Sequence, residues 1–370
     1  MSIAQSETLH LQPFQGFRCT SCGLCCTRPW GVPVDAAVEP GIRASAVYAE
    51  KQRQGYVPIH LDDDGFTRVA RSPKGDCLFL EDDLRCSLHA ELGPLGKPSG
   101  CQLFPYRAVR TPDGVFFSQS WVCPPVVAGT DDNVEENREQ LAQLVRLFPE
   151  AAGSLSDEEF PVALSREQRI SWNDYRDLEE RLLRGFDPNR PALSLLALTV
   201  DVMAEAAGPL GAIPEDTSLE EALLTMYLQG LLMAVETQDH LERQQQVGEA
   251  LQGGPSVRSI HGDVVLPEFG LEACRSPRLL AAFERYVLNM VLGKNLLRPS
   301  VVRQLLALAC TYPLLSFYGE AFRRDRGEAE LTLEAMTLAF EVVESELYHS
   351  ANMAPFFIDF EATLEKLSAA

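Results

Sequence analysis

The stretch that constrains this chain most is Cys-Thr-Ser-Cys-Gly-Leu-Cys-Cys at residues 19–26, which places four thiols within eight residues. Cys-x-x-Cys spacing lets two sulfurs converge on one ion, and here it occurs twice in succession, from Cys19 to Cys22 to Cys25. Gly23 gives the backbone freedom to turn inside the run. Cys26 directly follows Cys25, and because adjacent side chains diverge, we expect it to serve a second site or a different metal of a cluster.

Four more cysteines precede residue 124, so the first third of the chain holds eight of its ten cysteines. Eight thiolates suffice for two four-thiolate sites, or for one cluster with spare ligands. Cys274 and Cys310 lie far along the chain in helical sequence, and we interpret them as small core residues. The predicted metal ligands are therefore Cys19, Cys22, Cys25, Cys26, Cys77, Cys86, Cys101 and Cys123.

Zinc and an iron–sulfur cluster are the two metal centres that this cysteine pattern allows. Zinc sites pair well-separated Cys-x-x-Cys knuckles, whereas three cysteines spaced by two residues are closer to cluster-binding loops. Cys123 precedes Pro124, and ferredoxin-type cluster runs also end in a Cys-Pro step. The pattern favours an iron–sulfur cluster over zinc, and the expected cluster type is 4Fe–4S. His89, three residues after Cys86, is either a further ligand or a polar surface residue.

The charge balance limits the partners that the chain can bind. Its 53 acidic and 32 basic residues give a net charge of −21, which argues against binding nucleic acid or an anionic membrane. The first 17 residues show no secretory signal, and no uninterrupted apolar run is long enough to span a bilayer. We therefore expect a cytoplasmic protein, and in a reducing compartment clustered cysteines bind metal more often than they form disulfides.

The pattern of turns and helical periodicity divides the chain near residue 128. Turn residues predict hairpins over 56–71, around residues 77–86, and over 106–121, and a short helix from Ser87 to Leu92. We expect an α+β, mostly α protein: a small irregular cysteine-rich metal module, residues 1–128, with short hairpins, packed on an all-α helical domain, residues 129–370. Asp35 is expected to cap a helical stretch over 36–54, which Pro40-Gly41 interrupts, and Ser165 and Ser218 are expected to begin helices as capping boxes. Later helices are predicted over 134–148, 166–185, 191–207, 219–251, 277–297, 301–324 and 331–350.

The cysteine spacings, together with Gly-Asp-Cys77-Leu-Phe-Leu, Cys86-x2-His89 and Cys101-x2-Phe104-Pro105, resemble the CxxCxxCC family of zinc- or iron-chelating proteins. The helical sequence from Phe283 to Leu292 also looks like the flagellin lysine-N-methylase branch. That resemblance implies methylation of lysine side chains in a lysine-rich protein, with S-adenosylmethionine as donor and an iron–sulfur cluster. The alternative is a non-enzymatic module, stabilised by zinc or iron–sulfur, that binds a partner or acts as a chaperone. Neither reading identifies catalytic residues, a methyl-donor site or an oligomeric state.

Overall fold

The computed structural model describes residues 7–28, 30–149, 161–207 and 276–344, and the backbone of three short strands at 152–154, 257–259 and 262–264. The predicted helix over 219–251, its capping box at Ser218, and Cys274 lie outside the described residues. The chain divides into two compact units, one of Met1–Val126 with Thr130–Ser154 and one of Val127–Gly129 with Leu155–Ala370. Helices dominate and the sheets are small, which confirms the predicted mostly α, α+β class.

A four-stranded sheet is the largest β element of the first unit. The unit's strands are β1 (Leu9–His10), β2 (Ile59–Leu61), β3 (Thr67–Val69), β4 (Tyr106–Thr111), β5 (Gly114–Gln119) and β6 (Ala152–Ser154). The sheet order is β1-β5-β4-β6, with the antiparallel hairpin β4–β5 flanked by parallel β1 and β6. Gly114 has a φ of +131°, and a Cβ there would lie 2.3 Å from the Thr8 carbonyl oxygen. The smaller pair β2–β3 is antiparallel, so the hairpins predicted over 56–71 and 106–121 are both present.

The helices up to residue 147 are short apart from the last. They are α1 (Leu24–Thr27), α2 (Glu39–Arg43), α3 (Ala46–Arg53), α4 (Ser87–Leu92), α5 (Ser99–Leu103), α6 (Pro124–Ala128) and α7 (Glu135–Leu147). The helical stretch predicted over 36–54 is interrupted at Ser45 and not at Pro40-Gly41, which lies inside α2. Ser45 begins the second helix by accepting the Tyr48 N–H at 3.1 Å. Asp35 was wrongly expected to cap that stretch; its carboxylate binds Ser99 instead. α4 has its predicted bounds and ends at Gly93, which has a φ of +72°.

Two apolar clusters hold the first unit together. In one, β4 and β5 pack against α5 and α7 through buried residues such as Leu103, Phe117 and Leu144. Tyr106 belongs to this cluster, and its hydroxyl donates to the Gln15 carbonyl at 2.5 Å. The other cluster joins α2, α3 and α4 to the β2–β3 hairpin, with Cys77 and Cys86 packed against it. The cysteine segments are therefore anchored on a hydrophobic core of modest size.

The second unit is helical, with two short antiparallel strand pairs. The strands are β7 (Val162–Ala163), β8 (Arg169–Ile170), β9 (Val257–Ser259) and β10 (Gly262–Val264). The helices are α8 (Trp172–Gly185), α9 (Pro191–Ala207), α10 (Pro277–Leu292), α11 (Val301–Asp325) and α12 (Leu333–Glu344). The helix predicted from residue 166 begins six residues later, because β8 pairs with β7 and Ser171 forms the capping box with Asp174. The capping box predicted at Ser165 is therefore wrong.

α11 forms the centre of the second unit. It packs against α9 and α12, and it is long and apolar enough to cross a membrane, but 89% of its most apolar window is buried inside the protein. A buried core helix passes the same test, so this one helix is weak evidence for a span. Nearby, Lys294 and Glu179 form an ion pair at 2.5 Å whose side chains are 4% and 13% exposed. A pair this buried makes the packing of α8 sensitive to the loss of either charge.

Candidate metal centre

The first cysteine turn is shaped by two residues with left-handed backbone. Ser21 has a φ of +54° and Gly23 a φ of +74°, and α1 begins directly after Gly23. Inside the turn the Ser21 N–H points at the Cys19 sulfur, 3.4 Å away. Backbone N–H groups directed at sulfur stabilise thiolates, as they do around metal-bound cysteines. Cys19 and Cys22 are exposed, which leaves them free to move toward an ion.

Cys25 and Cys26 lie on α1 with their sulfurs 3.8 Å apart. The expectation that these neighbouring side chains diverge is therefore wrong for their sulfur atoms. The Cys26 sulfhydryl and the Cys25 sulfur share a hydrogen bond, which lowers the pKa of Cys25 to about 7 and raises that of Cys26. Of the two thiols, Cys25 is therefore the one that ionises more readily, and the thiolate is the form that binds metal.

Cys77 and Cys86 are brought together by tight turns rather than by a regular hairpin. The Leu80 N–H donates to the Cys77 carbonyl at 3.0 Å, and Leu80 forms an isolated bridge with Cys86. The Cys77 N–H in turn donates to the Cys26 carbonyl at 2.7 Å. Backbone hydrogen bonds therefore hold the segments that carry Cys26, Cys77 and Cys86 next to one another.

Cys101 lies on α5, and Asp35 holds the start of that helix. The Asp35 carboxylate accepts the Ser99 N–H and the Ser99 hydroxyl, each at 2.6 Å. Burial, followed by the thiols of Cys77, Cys86 and Cys25, raises the pKa of Cys101 to about 12. The positive charge of Lys97 opposes this shift. The thiol of Cys101 therefore lies close enough to those of Cys77 and Cys86 to interact with them electrostatically.

Cys123 is buried after β5 and lies close to the first turn. Burial, followed by the thiols of Cys22, Cys25 and Cys19, raises its pKa to about 12. It is thus near the first turn although about a hundred residues separate them in sequence. Cys310 differs, because burial alone raises its pKa to about 12 inside α11.

Arg71 and Trp30 tie the cysteine segments together. The Arg71 guanidinium donates to the Cys26 carbonyl at 3.0 Å, to the Gly75 carbonyl at 3.2 Å, and to the Trp30 carbonyl. The Trp30 indole N–H donates to the Cys25 carbonyl at 2.6 Å, and its ring meets Phe104 at the end of α5. Sequence reasoning missed Arg71, because 45 residues separate it from Cys26 and no local pattern marks such a contact.

The donor set fits a thiolate metal centre, although the ligands are not fully assembled. All the described cysteines are free thiols. Across the described residues, no three side chains of His, Cys, Asp or Glu already enclose the space of an ion. Soft thiolates select zinc or iron–sulfur, and the thiols of Cys19 and Cys22 are exposed. His89 is exposed on α4, and burial with Lys97 lowers its pKa, so its role as ligand or surface residue stays a prediction.

Comparison with known proteins identifies the first unit. Residues 18–124, less than a third of the chain, match the model of the CxxCxxCC family, a zinc- or iron-chelating domain. No curated protein and no solved structure matches the chain. The match covers all eight predicted ligand cysteines and ends one residue after Cys123. Residues 18–124 are therefore similar to the CxxCxxCC domain.

Proposed function

We propose that residues 18–124 bind metal through the eight cysteines from Cys19 to Cys123. The observation that carries this is the convergence of thiols from four separate segments, close enough to shift one another's pKa values. In the absence of metal, burial and neighbouring thiols raise the pKa values of Cys26, Cys77, Cys101 and Cys123, because thiolates repel one another in a partly buried setting. A metal removes that repulsion, and its binding energy adds to the folding energy of the unit.

Iron–sulfur is the occupant that the sequence favours, and zinc is its competitor. Three cysteines at two-residue intervals and the Cys123-Pro124 step support the cluster. The test is metal and sulfide analysis, with an absorption spectrum, of full-length protein purified without oxygen. Iron with equimolar sulfide and a broad band near 400 nm supports the cluster, whereas zinc without a visible band selects the other metal.

We further propose that the full chain transfers methyl groups from S-adenosylmethionine to lysine side chains of a protein. The resemblance to flagellin lysine-N-methylase supports this, and the net charge of −21 suits a lysine-rich substrate. In such a transfer the neutral lysine amine forms a nitrogen–carbon bond while the sulfonium–carbon bond breaks, releasing a thioether and a proton. A reducing compartment, the cytoplasm, keeps the eight thiols available for metal.

A methyl-transfer assay decides between this activity and the non-enzymatic alternative. Metal-loaded protein is incubated with methyl-labelled S-adenosylmethionine and a lysine-rich protein such as flagellin, and the label on lysine is counted. Label above that of a Cys22→Ser, Cys101→Ser double variant supports the enzyme. If metal-loaded protein does not bind S-adenosylmethionine and does not transfer label to lysine, the non-enzymatic, metal-stabilised binding module is supported instead.

A further inference from the structure

Leu84 lies in the tight turn that precedes Cys86, with a backbone conformation that leucine rarely adopts. Its φ is +63°, in the left-handed region where the Cβ of any residue other than glycine is crowded. The Glu81 N–H donates to the Arg85 carbonyl at 2.9 Å, so residues 82–84 form a three-residue loop. Such loops place their last residue in the left-handed region and favour glycine there. The turn itself therefore gains nothing from a leucine at this position.

The side chain of Leu84 packs against the first cysteine turn at Gly23. A Cβ at position 23 would lie 3.1 Å from Leu84 Cδ2 and 3.3 Å from Leu84 Cβ. Gly23 has a φ of +74° and directly follows Cys22. Position 23 is thus restricted to glycine both by its own conformation and by the space that the leucine fills. Because Leu84 is 45% exposed, its packing contribution is this local contact more than the apolar core.

This contact reaches a part of the first turn that lies before its hydrogen-bonded end. The hydrogen bonds from other segments hold the run at the carbonyls of Cys25 and Cys26. Cys22 lies earlier in the run and its thiol is exposed. Leu84 holds the backbone at the next residue, Gly23, and therefore limits where the Cys22 thiol can lie.

We propose that Leu84 is a positioning residue for Cys22. By packing on Gly23 it fixes the first cysteine turn against the turn that precedes Cys86, and so places the Cys22 thiol for metal. This inference rests on the proposed metal binding and adds a residue that sets its affinity without being a ligand. Residues that orient metal ligands typically change metal affinity by about ten- to a hundredfold when they are replaced.

Three substitutions at position 84 separate the role of the side chain from that of the backbone. Leu84→Gly and Leu84→Asn both tolerate a left-handed backbone, so they relieve the turn while they remove the apolar contact. Leu84→Met keeps an apolar side chain of similar volume. In competition with a chromophoric chelator, we expect the glycine and asparagine variants to bind metal about tenfold more weakly than wild-type protein. The methionine variant should stay within about twofold of the wild type.

Alkylation of Cys22 distinguishes positioning of one ligand from a general loss of structure. The full-length proteins are loaded with saturating metal and treated with iodoacetamide without oxygen, and peptide mass spectrometry follows each cysteine. We expect Cys22 to be labelled faster in Leu84→Asn than in wild-type protein or Leu84→Met, while the labelling of Cys77 is unchanged.

The results that would overturn this inference differ from those that would overturn metal binding. Wild-type protein that binds metal, with the same affinity and the same Cys22 labelling in Leu84→Asn, would contradict the role of Leu84 alone. Weaker metal binding without faster labelling of Cys22, or with faster labelling of every cysteine, would contradict the positioning of this ligand. Wild-type protein that carries no metal would contradict the proposed metal binding, and the role of Leu84 with it.

Discussion

Replacing Arg71 should weaken metal binding although Arg71 is not a ligand. Its guanidinium donates to carbonyls of Cys26, Trp30 and Gly75, and so fixes the backbone beside Cys26 and the turn that leads to Cys77. Arg71→Met removes all three bonds and the positive charge beside the thiolates. Arg71→Lys keeps the charge but cannot donate to three carbonyls from one plane.

The size of the expected loss in metal affinity depends on which of the three Arg71 hydrogen bonds cannot be replaced by water or by another donor. Gly75 is exposed, so water can take over its bond, and the Cys26 carbonyl keeps the Cys77 N–H. A hydrogen bond from a charged donor contributes about 1.5–3 kcal/mol, so the loss is about one such bond plus part of another, about 2–3 kcal/mol. At about 1.4 kcal/mol per factor of ten, Arg71→Met should weaken metal binding about 30- to 140-fold. The lysine variant should lose about three- to tenfold, since one bond and the charge remain.

Competition with a chromophoric chelator measures this loss without any activity assay. Arg85→Met is the matched control, because Arg85 lies in the same unit with a 77% exposed side chain and a 3.7 Å pairing with Asp83. Its metal affinity should stay within twofold of the wild type. Equal affinities for Arg71→Met and Arg85→Met would refute the argument that Arg71 positions the ligands. A lysine variant as weak as the methionine variant would refute the contribution of charge.

Three further predictions address the anchoring of the site and the two units. Asp35→Ala removes both bonds to Ser99, so Cys101 should be alkylated faster than in wild-type protein while Cys19 is unchanged, as measured by peptide mass spectrometry. Metal removal should make residues 18–124 sensitive to protease, because thiolate–metal bonds supply much of the first unit's stability. Fragments from the helical second unit should persist on a gel. An N-terminal third that stays intact after metal removal would contradict this prediction. Glu179→Gln removes the carboxylate charge that pairs with buried Lys294 and should lower the free energy of unfolding of the second unit by about 3–5 kcal/mol in urea titrations. Glu180→Gln, at an exposed pair with Arg184, should change it by less than about 1 kcal/mol.

Features specified by neighbouring residues were predictable from the sequence. The turn at Pro112-Asp113-Gly114 identified the β4–β5 hairpin, and α9 has its predicted bounds, Pro191–Ala207. Both depend on turn residues and helical periodicity that act within a few positions. The start of α8 was predicted six residues too early, because pairing of β8 with β7 is a contact between segments. Local propensity does not encode such pairings.

The candidate site shows the same division between local and distant information. The clustering of Cys19, Cys22, Cys25 and Cys26 is visible in the sequence, and so is the zinc- or iron-chelating family. The position of Cys123 beside the first turn depends on how β5 packs, and no spacing rule supplies it. Arg71 and Asp35 were likewise missed or misassigned, because their partners lie 45 and 64 residues away. Contacts at such separations exist only once the chain has folded.

The central claim is that the cysteines between residues 19 and 123 hold the metal and that Cys310 does not contribute. The most direct test compares the metal content of two variants, Cys101→Ser and Cys310→Ser, purified in parallel without oxygen. The pair is matched because burial raises the pKa of each thiol to about 12. Among the described cysteines, neighbouring thiols add to the shift at Cys101, whereas burial alone accounts for the shift at Cys310. We predict that Cys101→Ser loses metal while Cys310→Ser keeps the wild-type amount; equal metal in the two variants would contradict the account.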